Sequence, residues 1–188
     1  MKSEIIQAGT LLISQPEPGD PRFETSVSLI CDHDKEGSFA LTLNKPTELF
    51  INIEDFSISD SYSNKSDYPL WLGGPVQIDQ CFFLFQSNHT IENAEEIIPG
   101  LFLSSSQETL KQLLHSHEYT ELKIKFFIGY AGWSFYQLDC EVSYGWWLLA
   151  EGNKNSPFPS IPSKQWLNSL KSIDENLFIK GQSFLDSQ

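Results

Sequence analysis

Arg22 is the residue of this chain best suited to binding an anion. It is the only arginine among twelve basic residues, and the prolines and glycine before it predict a loop. A guanidinium group presents five donors in a planar fork, so it can bind a carboxylate or a phosphate through two hydrogen bonds. An ion pair with Asp20 or Glu24 would fix the loop instead, and the sequence leaves the two interpretations open.

Two aromatic residues, Tyr130 and Trp133, are the best candidates for contact with a flat ligand. They lie in the sequence GYAGW, where the glycines leave space beside the rings and predict a turn after a buried strand. Gln137 follows at the predicted start of a helix and would present its amide to the same cleft. Rings packed against bare glycine backbone would give the same sequence, so a binding role and a packing role both stay open.

A hydrolase-type site built from Asp20, His33 and Cys31 is the alternative function. Cys31 and His33 share one face of a predicted strand, but Cys31 ends an apolar run and is expected to be buried. A catalytic thiol needs access and a lowered pKa. We therefore expect no catalytic residue and favour a protein that is not an enzyme.

Neither a metal site nor a phosphate-binding loop is expected. The four histidines have no spacing typical of a zinc site. Gly73 and Gly74 precede Pro75 and a segment that predicts a turn into a strand, whereas a phosphate cradle needs a helix N-terminus. We assign these glycines to a turn with positive φ and expect no cofactor.

The charge balance argues against nucleic acid as a direct partner. Twenty-five acidic residues face twelve basic ones, giving a net charge of −13, and phosphate backbones are bound mainly through lysine and arginine. An anionic membrane surface is disfavoured for the same reason, and no apolar run is long enough to predict a membrane span. Three separated cysteines form neither a disulfide framework nor a CxxC pair. We expect one cytoplasmic domain, residues 1–188.

The elements that position these residues are mainly strands. Two alternating runs, residues 25–31 and 38–43, flank a glycine-containing turn and predict a β-hairpin. Single strands are expected at residues 10–14, 70–72, 80–85, 98–103, 122–128 and 146–150. Because strands outnumber helices and do not alternate regularly with them, the fold class is α+β.

Helices are expected at three places. Ser105 and Glu108 form a capping box before a leucine stripe, and helices are also expected from Gln137 and after Ser163. Residues 49–56 predict a short helix or an irregular segment, and residues 57–69 an exposed, serine-rich loop.

The order of these motifs resembles the YqgE/AlgH family of bacterial proteins. The matching pieces, in chain order, are AGTLLIS, DPRFETSVSLICDHDKEGSFALTLNKP, LGGPV and GYAGWSFYQLDCEV. The resemblance implies a bent, mixed and largely antiparallel sheet that closes into a pseudo-barrel with helices packed outside. It implies no agreed activity, although some members are named as transcriptional regulators. The family positions that frame a shared surface correspond here to Asp20, Arg22, Phe23, Asn44, Gly73, Gly74, Tyr130, Gly132, Trp133 and Gln137.

The sequence therefore predicts a non-enzymatic domain that binds an unidentified small ligand or a protein. The expected cleft lies between the DPRF loop and the GYAGW segment. Arg22 would meet an anionic group there, while Tyr130 and Trp133 would stack on a flat one.

Overall fold

Ten β-strands form one curled sheet, and four α-helices pack against its faces. This is the architecture of a computed structural model, which describes residues 5–16, 19–52, 67–115 and 122–187. The strands are β1 (Thr10–Ser14), β2 (Val27–Asp34), β3 (Gly37–Thr42), β4 (Pro46–Asn52), β5 (Asp67–Leu72), β6 (Val76–Gln86), β7 (Glu95–Ile98), β8 (Leu101–Ser104), β9 (Ile124–Ser134) and β10 (Trp147–Glu151). The helices are α1 (Gln107–His115), α2 (Gln137–Ser143), α3 (Gln165–Ile173) and α4 (Glu175–Asp186).

The sheet is antiparallel except at one pair of strands. Its order is β10-β1-β2-β3-β9-β6-β8-β7. In addition, β5 pairs with β9 in parallel orientation, and β4 pairs with β5 in antiparallel orientation. The sheet curls into a half-barrel, which confirms the α+β class and the mixed, largely antiparallel pseudo-barrel. The predicted hairpin is also confirmed, because β2 and β3 pair across the turn at residues 34–37.

One face of the sheet carries a continuous core, and the other face carries two separate cores. The continuous face, called the inner face below, buries side chains from seven strands together with Trp166 and Leu170 of α3. On the outer face, α1 covers a phenylalanine-rich core and α2 covers a second core around Trp133 and Trp147. Burying these apolar side chains is the main force that holds each helix to the sheet.

β9 is the strand on which the rest of the sheet is assembled. Its first half lies between β5 and β6, and its second half pairs with β3. At the change-over, Gly129 has a positive φ of 64°, and the register with β6 shifts between Val76 and Cys81. This irregularity changes which side chains point inward, so Phe127 and Tyr130 both contribute to the inner face although they are three residues apart.

Gly73 and Gly74 cross directly over this bend. A Cβ atom on Gly73 would collide with the carbonyl oxygen of Gly129, and one on Gly74 would collide with the backbone of Tyr130 and Ala131. The backbone of Gly73 also donates to the Ile128 carbonyl at 2.9 Å and accepts from the Thr42 amide at 2.8 Å. Neither glycine has the positive φ that was expected. Glycine is required at both positions because the backbone of β9 lies too close to leave room for a Cβ atom.

Four expected elements differ in the structure. The GYAGW segment is not a turn but the continuous second half of β9, since a single bent residue suffices to redirect the strand. Residues 46–52 form β4 and not a helix. Residues 98–103 belong to two strands, β7 and β8, which a turn at Pro99 and Gly100 separates. The turn expected from Val76 is instead the start of β6.

The helix ends also differ from the expected ones. Ser106, not Ser105, caps α1, because its Oγ accepts from the Thr109 amide at 3.3 Å. A 3-10 turn, Pro162–Lys164, precedes α3, so Ser163 does not cap that helix. The exposed loop expected at residues 57–69 ends in β5, and residues 57–66 lie outside the described part of the chain.

Replacing Gly74 with alanine should destabilise the fold strongly. The added methyl group meets fixed backbone on β9, so we expect a loss of about 3 kcal/mol in the free energy of unfolding. Gly132→Ala is the matched control, because its methyl group collides with no fixed backbone and meets the edge of the Tyr130 side chain at 3.0 Å. That variant should lose about 1 kcal/mol or less. Urea denaturation of the two variants measures both values, and equal losses would contradict the proposed contact.

Candidate binding site

A concavity of about 450 Å³ opens at one end of the inner face. The strands β2, β3 and β9 supply most of its wall, and Val76 at the start of β6 completes it. Phe39 and Tyr130 contribute aromatic rings, and Gly132 contributes bare backbone between the rings and solvent. The residues that line it are Asp32, Asp34, Glu36, Gly37, Ser38, Phe39, Val76, Tyr130, Gly132 and Trp133.

Two aromatic rings, Phe39 and Tyr130, form the floor of this concavity, and the ring of Phe82 supports them. The centroids of Phe39 and Tyr130 are 4.8 Å apart, and Phe82 lies 5.3 Å from Phe39 in an edge-on arrangement. Phe82 also meets the edge of Tyr130 at 6.1 Å. Phe39 and Tyr130 are only partly buried, so part of each ring is available to a ligand while the contacts fix its orientation.

Exposed carboxylates of Asp32, Asp34 and Glu36 border the aromatic floor. A register shift between Ile30 and Asp32 places Asp32 opposite Phe39, and Asp34 lies opposite Gly37 at the start of β3. One oxygen of Asp34 accepts from the amides of Glu36 and Gly37 in the hairpin turn. Lys35 lies in the same turn, so the three carboxylates and one ammonium leave this border negatively charged.

Trp133 borders the concavity with its backbone, but its ring lies on the outer face. Only 6% of Trp133 is exposed, and its ring stacks on Phe23 at 6.1 Å. Its Nε1 and that of Trp147 both donate to the same carboxylate oxygen of Glu141, each at 2.8 Å. Because Tyr130 belongs to the inner core and Trp133 to the outer one, the two rings cannot stack on one ligand.

Gln137 belongs to the same outer network as Trp133. Its Oε1 accepts from the Ser134 amide at 3.1 Å, which holds the first turn of α2 against the end of β9. Its Nε2 donates to the second oxygen of Glu141 at 2.9 Å. The amide of Gln137 is therefore occupied in joining helix and strand.

Arg22 forms the ion pair with Asp20 that was one of its two expected roles. Its Nη2 lies 2.6 Å from Asp20 Oδ2, and its Nε adds hydrogen bonds to both carboxylate oxygens. These hydrogen bonds lower the pKa of Asp20. The Arg22 side chain is 67% exposed, so water screens the pair and its contribution to stability is small.

Arg22 and Trp133 lie on the same side of the molecule but share no hollow. Phe23 lies between them, and Arg22 lines neither the concavity nor the gap under Phe23. That gap, between Asp20, Glu141 and Trp147, measures about 10 Å³, which is less than a small ligand needs. The expected cleft between the DPRF loop and the GYAGW segment is filled by aromatic side chains.

Asn44 follows β3, and its side chain holds the loop that precedes β2. Its Oδ1 accepts from the Val27 amide at 2.9 Å, and its Nδ2 donates to the Thr25 carbonyl at 2.8 Å. The side chain thus replaces a missing strand partner at the start of β2. Together with Gly73 and Gly74, it shapes the sheet without lining the concavity.

The three residues of the hydrolase alternative are held apart. Asp20 pairs with Arg22, His33 Nδ1 lies 2.8 Å from Ser38 Oγ, and Cys31 is fully buried on the inner face. Burial raises the pKa of the Cys31 thiol well above its ordinary value, which opposes thiolate formation. Within the described ranges, no group of three metal-binding side chains occurs.

The acidic border, Phe39 and the supporting ring of Phe82 were not predicted as site residues. The alternation that places Leu29 and Cys31 on the inner face assigns Asp32 and Asp34 to the outer face. Only the register shift between Ile30 and Asp32 brings both carboxylates to the face of Phe39, and this shift leaves no signal in the residue types. No helix in the described part of the chain is long and apolar enough to span a membrane.

Comparisons with known proteins place this chain among relatives of similar length. The UPF0301 protein of Chlorobaculum tepidum is 36% identical over 171 residues, covering 90% of this chain and 88% of the relative. The UPF0301 protein of Cytophaga hutchinsonii is 35% identical over 170 residues, covering 90% and 91%. The solution structure of the AlgH protein from Pseudomonas aeruginosa matches with a TM-score of 0.70 and 26% identity, covering 92% of this chain and 90% of that one.

A crystal structure extends the likeness of the fold to a more distant protein. The protein from Corynebacterium diphtheriae superposes with a TM-score of 0.75 at 17% identity, covering 96% of this chain and 94% of that one. The model of the AlgH-like family matches residues 11–177, which include all strands except the first residue of β1, and helices α1 to α3. The chain therefore belongs to the AlgH-like family, as the motifs from AGTLLIS to GYAGW indicated.

Proposed function

We propose that this protein is a non-enzymatic binding domain that holds a lysine- or arginine-bearing segment of a partner protein. The observation that carries the proposal is the pairing of three exposed carboxylates with an aromatic floor in one concavity of about 450 Å³. An anion would be repelled from this border, and an uncharged ligand would make no use of it.

The chemistry of the concavity suits a cation in two ways. The faces of Tyr130 and Phe39 carry negative partial charge and attract an ammonium or guanidinium group by about 0.5–2 kcal/mol. Asp32 and Glu36 can accept hydrogen bonds from the same group. Neither acid takes part in an ion pair among the described residues, so both remain available.

The charge of the whole chain favours a basic partner as well. A net charge of −13 attracts cationic segments over distances beyond direct contact and speeds their encounter. The same charge repels nucleic acid, in agreement with the partners expected from composition. The open form of the concavity admits a side chain carried on a peptide, which supports a protein partner over a free small ligand.

A binding role without catalysis is supported by where the reactive groups lie. Cys31 is sealed inside the inner core, and Asp20 is engaged by Arg22. Of the residues expected to form a site, the proposal keeps Tyr130 and Gly132 as contacts. It assigns Trp133 and Gln137 to the outer face and Arg22 to its exposed ion pair with Asp20.

Neutralising two carboxylates should weaken the binding of a basic peptide. A fluorescein-labelled octapeptide with two arginines serves as the probe, and fluorescence anisotropy gives its Kd. We expect Asp32→Asn with Glu36→Gln to raise the Kd about tenfold, since each exposed pair contributes up to about 1 kcal/mol. Asp139→Asn on α2 is the control, because this acid is exposed on the outer face. Arg22→Gln should also leave the Kd unchanged.

Three outcomes of this titration would overturn the proposal. The first is the absence of peptide binding by the wild-type protein at low ionic strength. The second is an equal Kd for the double variant and for Asp139→Asn. The third is a loss of binding on Arg22→Gln, which would indicate that the peptide binds at the loop of Arg22 and not in the concavity. Binding of a free diamine such as putrescine but not of the peptide would exclude the protein partner.

Removing the Tyr130 ring should weaken the same peptide independently of charge. Tyr130→Leu keeps apolar bulk but loses the cation–π attraction, so we expect the Kd to rise about fivefold or more. Tyr130→Phe keeps the ring and should bind like the wild-type protein. Denaturation curves of both variants verify that they are folded, and an unchanged Kd for folded Tyr130→Leu contradicts the assigned floor.

A further inference from the structure

Lys125 has the most buried amine among the described lysines, at the opposite end of the inner face from the concavity. The residue is 6% exposed. Its Nζ donates to the Leu43 carbonyl at 2.6 Å and to the Pro157 carbonyl at 3.0 Å. The indole ring of Trp71 lies 3.6 Å from the same nitrogen. Lys125 therefore joins three separate parts of the chain: the end of β3, strand β5 and the connector after β10.

The connector, residues 152–164, leads from the sheet to the two C-terminal helices. The connector is tied to the sheet at several places. The amide of Gly152 donates to the Gly9 carbonyl at 3.0 Å, and Phe158 packs against the inner core. Gln86 Nε2 and Lys123 Nζ both reach Asn155 Oδ1 through exposed hydrogen bonds, which compete with water and contribute little. The bond from Lys125 to Pro157 is a buried hydrogen bond, so its loss should loosen the connector.

The helices beyond the connector cover the inner face as one unit. α3 buries Trp166 and Leu170 in the inner core, and Trp166 Nε1 donates to the Ser14 carbonyl at 2.8 Å. α4 packs mainly on α3, where a side chain on Gly181 would collide with Leu170. We call α3 and α4 together the C-terminal cover.

The closed cover carries polar groups that lack full hydrogen bonding. Gln165 Oε1, at the start of α3, and Ser26 Oγ, beside the Ser14 contact, are buried without a hydrogen-bond partner among the described residues. Each such group disfavours the closed state by its lost solvation. The amine of Lys125 adds the cost of a buried, ionisable group that forms no ion pair with a carboxylate of the described residues.

We propose that the C-terminal cover opens from the sheet as a unit and that Lys125 is the latch that keeps it closed. Opening turns at the connector and exposes the inner core where Trp166 and Leu170 now lie. On opening, Gln165 Oε1 and Ser26 Oγ become solvated, whereas the strands keep their backbone hydrogen bonds to one another. This opening is a local unfolding whose cost includes the exposure of Trp166 and Leu170.

Native-state hydrogen exchange measured by mass spectrometry tests the latch. Lys125→Met keeps the apolar stem and removes the donors, which leaves the carbonyls of Leu43 and Pro157 without a partner. We expect amides of residues 165–186 to exchange about tenfold faster in this variant, while amides of β2 and β3 keep their rates. Lys123→Met, which loses only an exposed bond to the same connector, is the control and should change these rates by less than about twofold.

Either of two results would overturn the latch. In one, Lys125→Met leaves exchange in the cover unchanged or slower than in the wild-type protein. In the other, amides of the cover and of β2 and β3 accelerate by one common factor, which means that the variant weakens the whole fold and not a local opening.

The wild-type protein supplies a second test that needs no variant. Burial lowers the pKa of Lys125 to about 7, whereas the solvated amine of the open cover has its ordinary value of 10.5. Between these values the open state binds more protons, so opening becomes easier as the pH falls from about 9 to 7 and levels off below 7. The charged residues nearest its contacts along the chain are the cations Lys45, Lys123 and Lys154, and the shift of the Lys125 pKa itself is caused by burial.

Protection factors measured at pH 7 and pH 9 give the size of the effect. We expect opening of the cover to be up to about 100-fold more frequent at pH 7, or tenfold per pH unit. Amides of β2 serve as the internal reference. A cover with the same protection at both pH values overturns the latch, and so does an equal pH dependence in folded Lys125→Met.

Discussion

The close contact between the backbone of Gly73 and Gly74 and that of β9 is the constraint on which the structure depends. At this crossing the chain has no room for side chains, and Gly129 takes a backbone conformation that other residues rarely adopt. The result is a bent strand that serves three neighbours in turn. Without the bend, β9 could not pair with β5 and β6 at one end and with β3 at the other.

The same bend separates the functions of two neighbouring aromatic residues. Tyr130 follows Gly129 and faces the inner core, where it joins Phe39 and Phe82 under the acidic border. Trp133 lies three positions later and faces the outer core, where Glu141 binds its indole nitrogen. A segment that reads as one ligand-binding motif thus supplies a recognition surface on one side of the sheet and an anchor for α2 on the other.

Regular elements were predictable from the sequence because their signals are local. β1, the β2–β3 hairpin and α2 lie where alternation and turn residues placed them, and the family resemblance gave the half-barrel. The candidate site was not predictable in the same way. The face of Trp133 depends on one dihedral angle at Gly129, and the partner of Arg22 depends on the path of a loop. Neither feature leaves a periodic signal in the residue types.

Because the three cysteines are buried to different degrees, their rates of alkylation can report on the opening of the inner core. Its thiol lies in the inner core, Cys81 is partly buried with its pKa raised to about 11 by burial, and Cys140 is exposed on α2. An alkylating reagent therefore modifies Cys140 first and reaches Cys31 only when the inner core opens. The order in which the three thiols are consumed separates surface reactivity from opening of the core in a single reaction of the native cysteines.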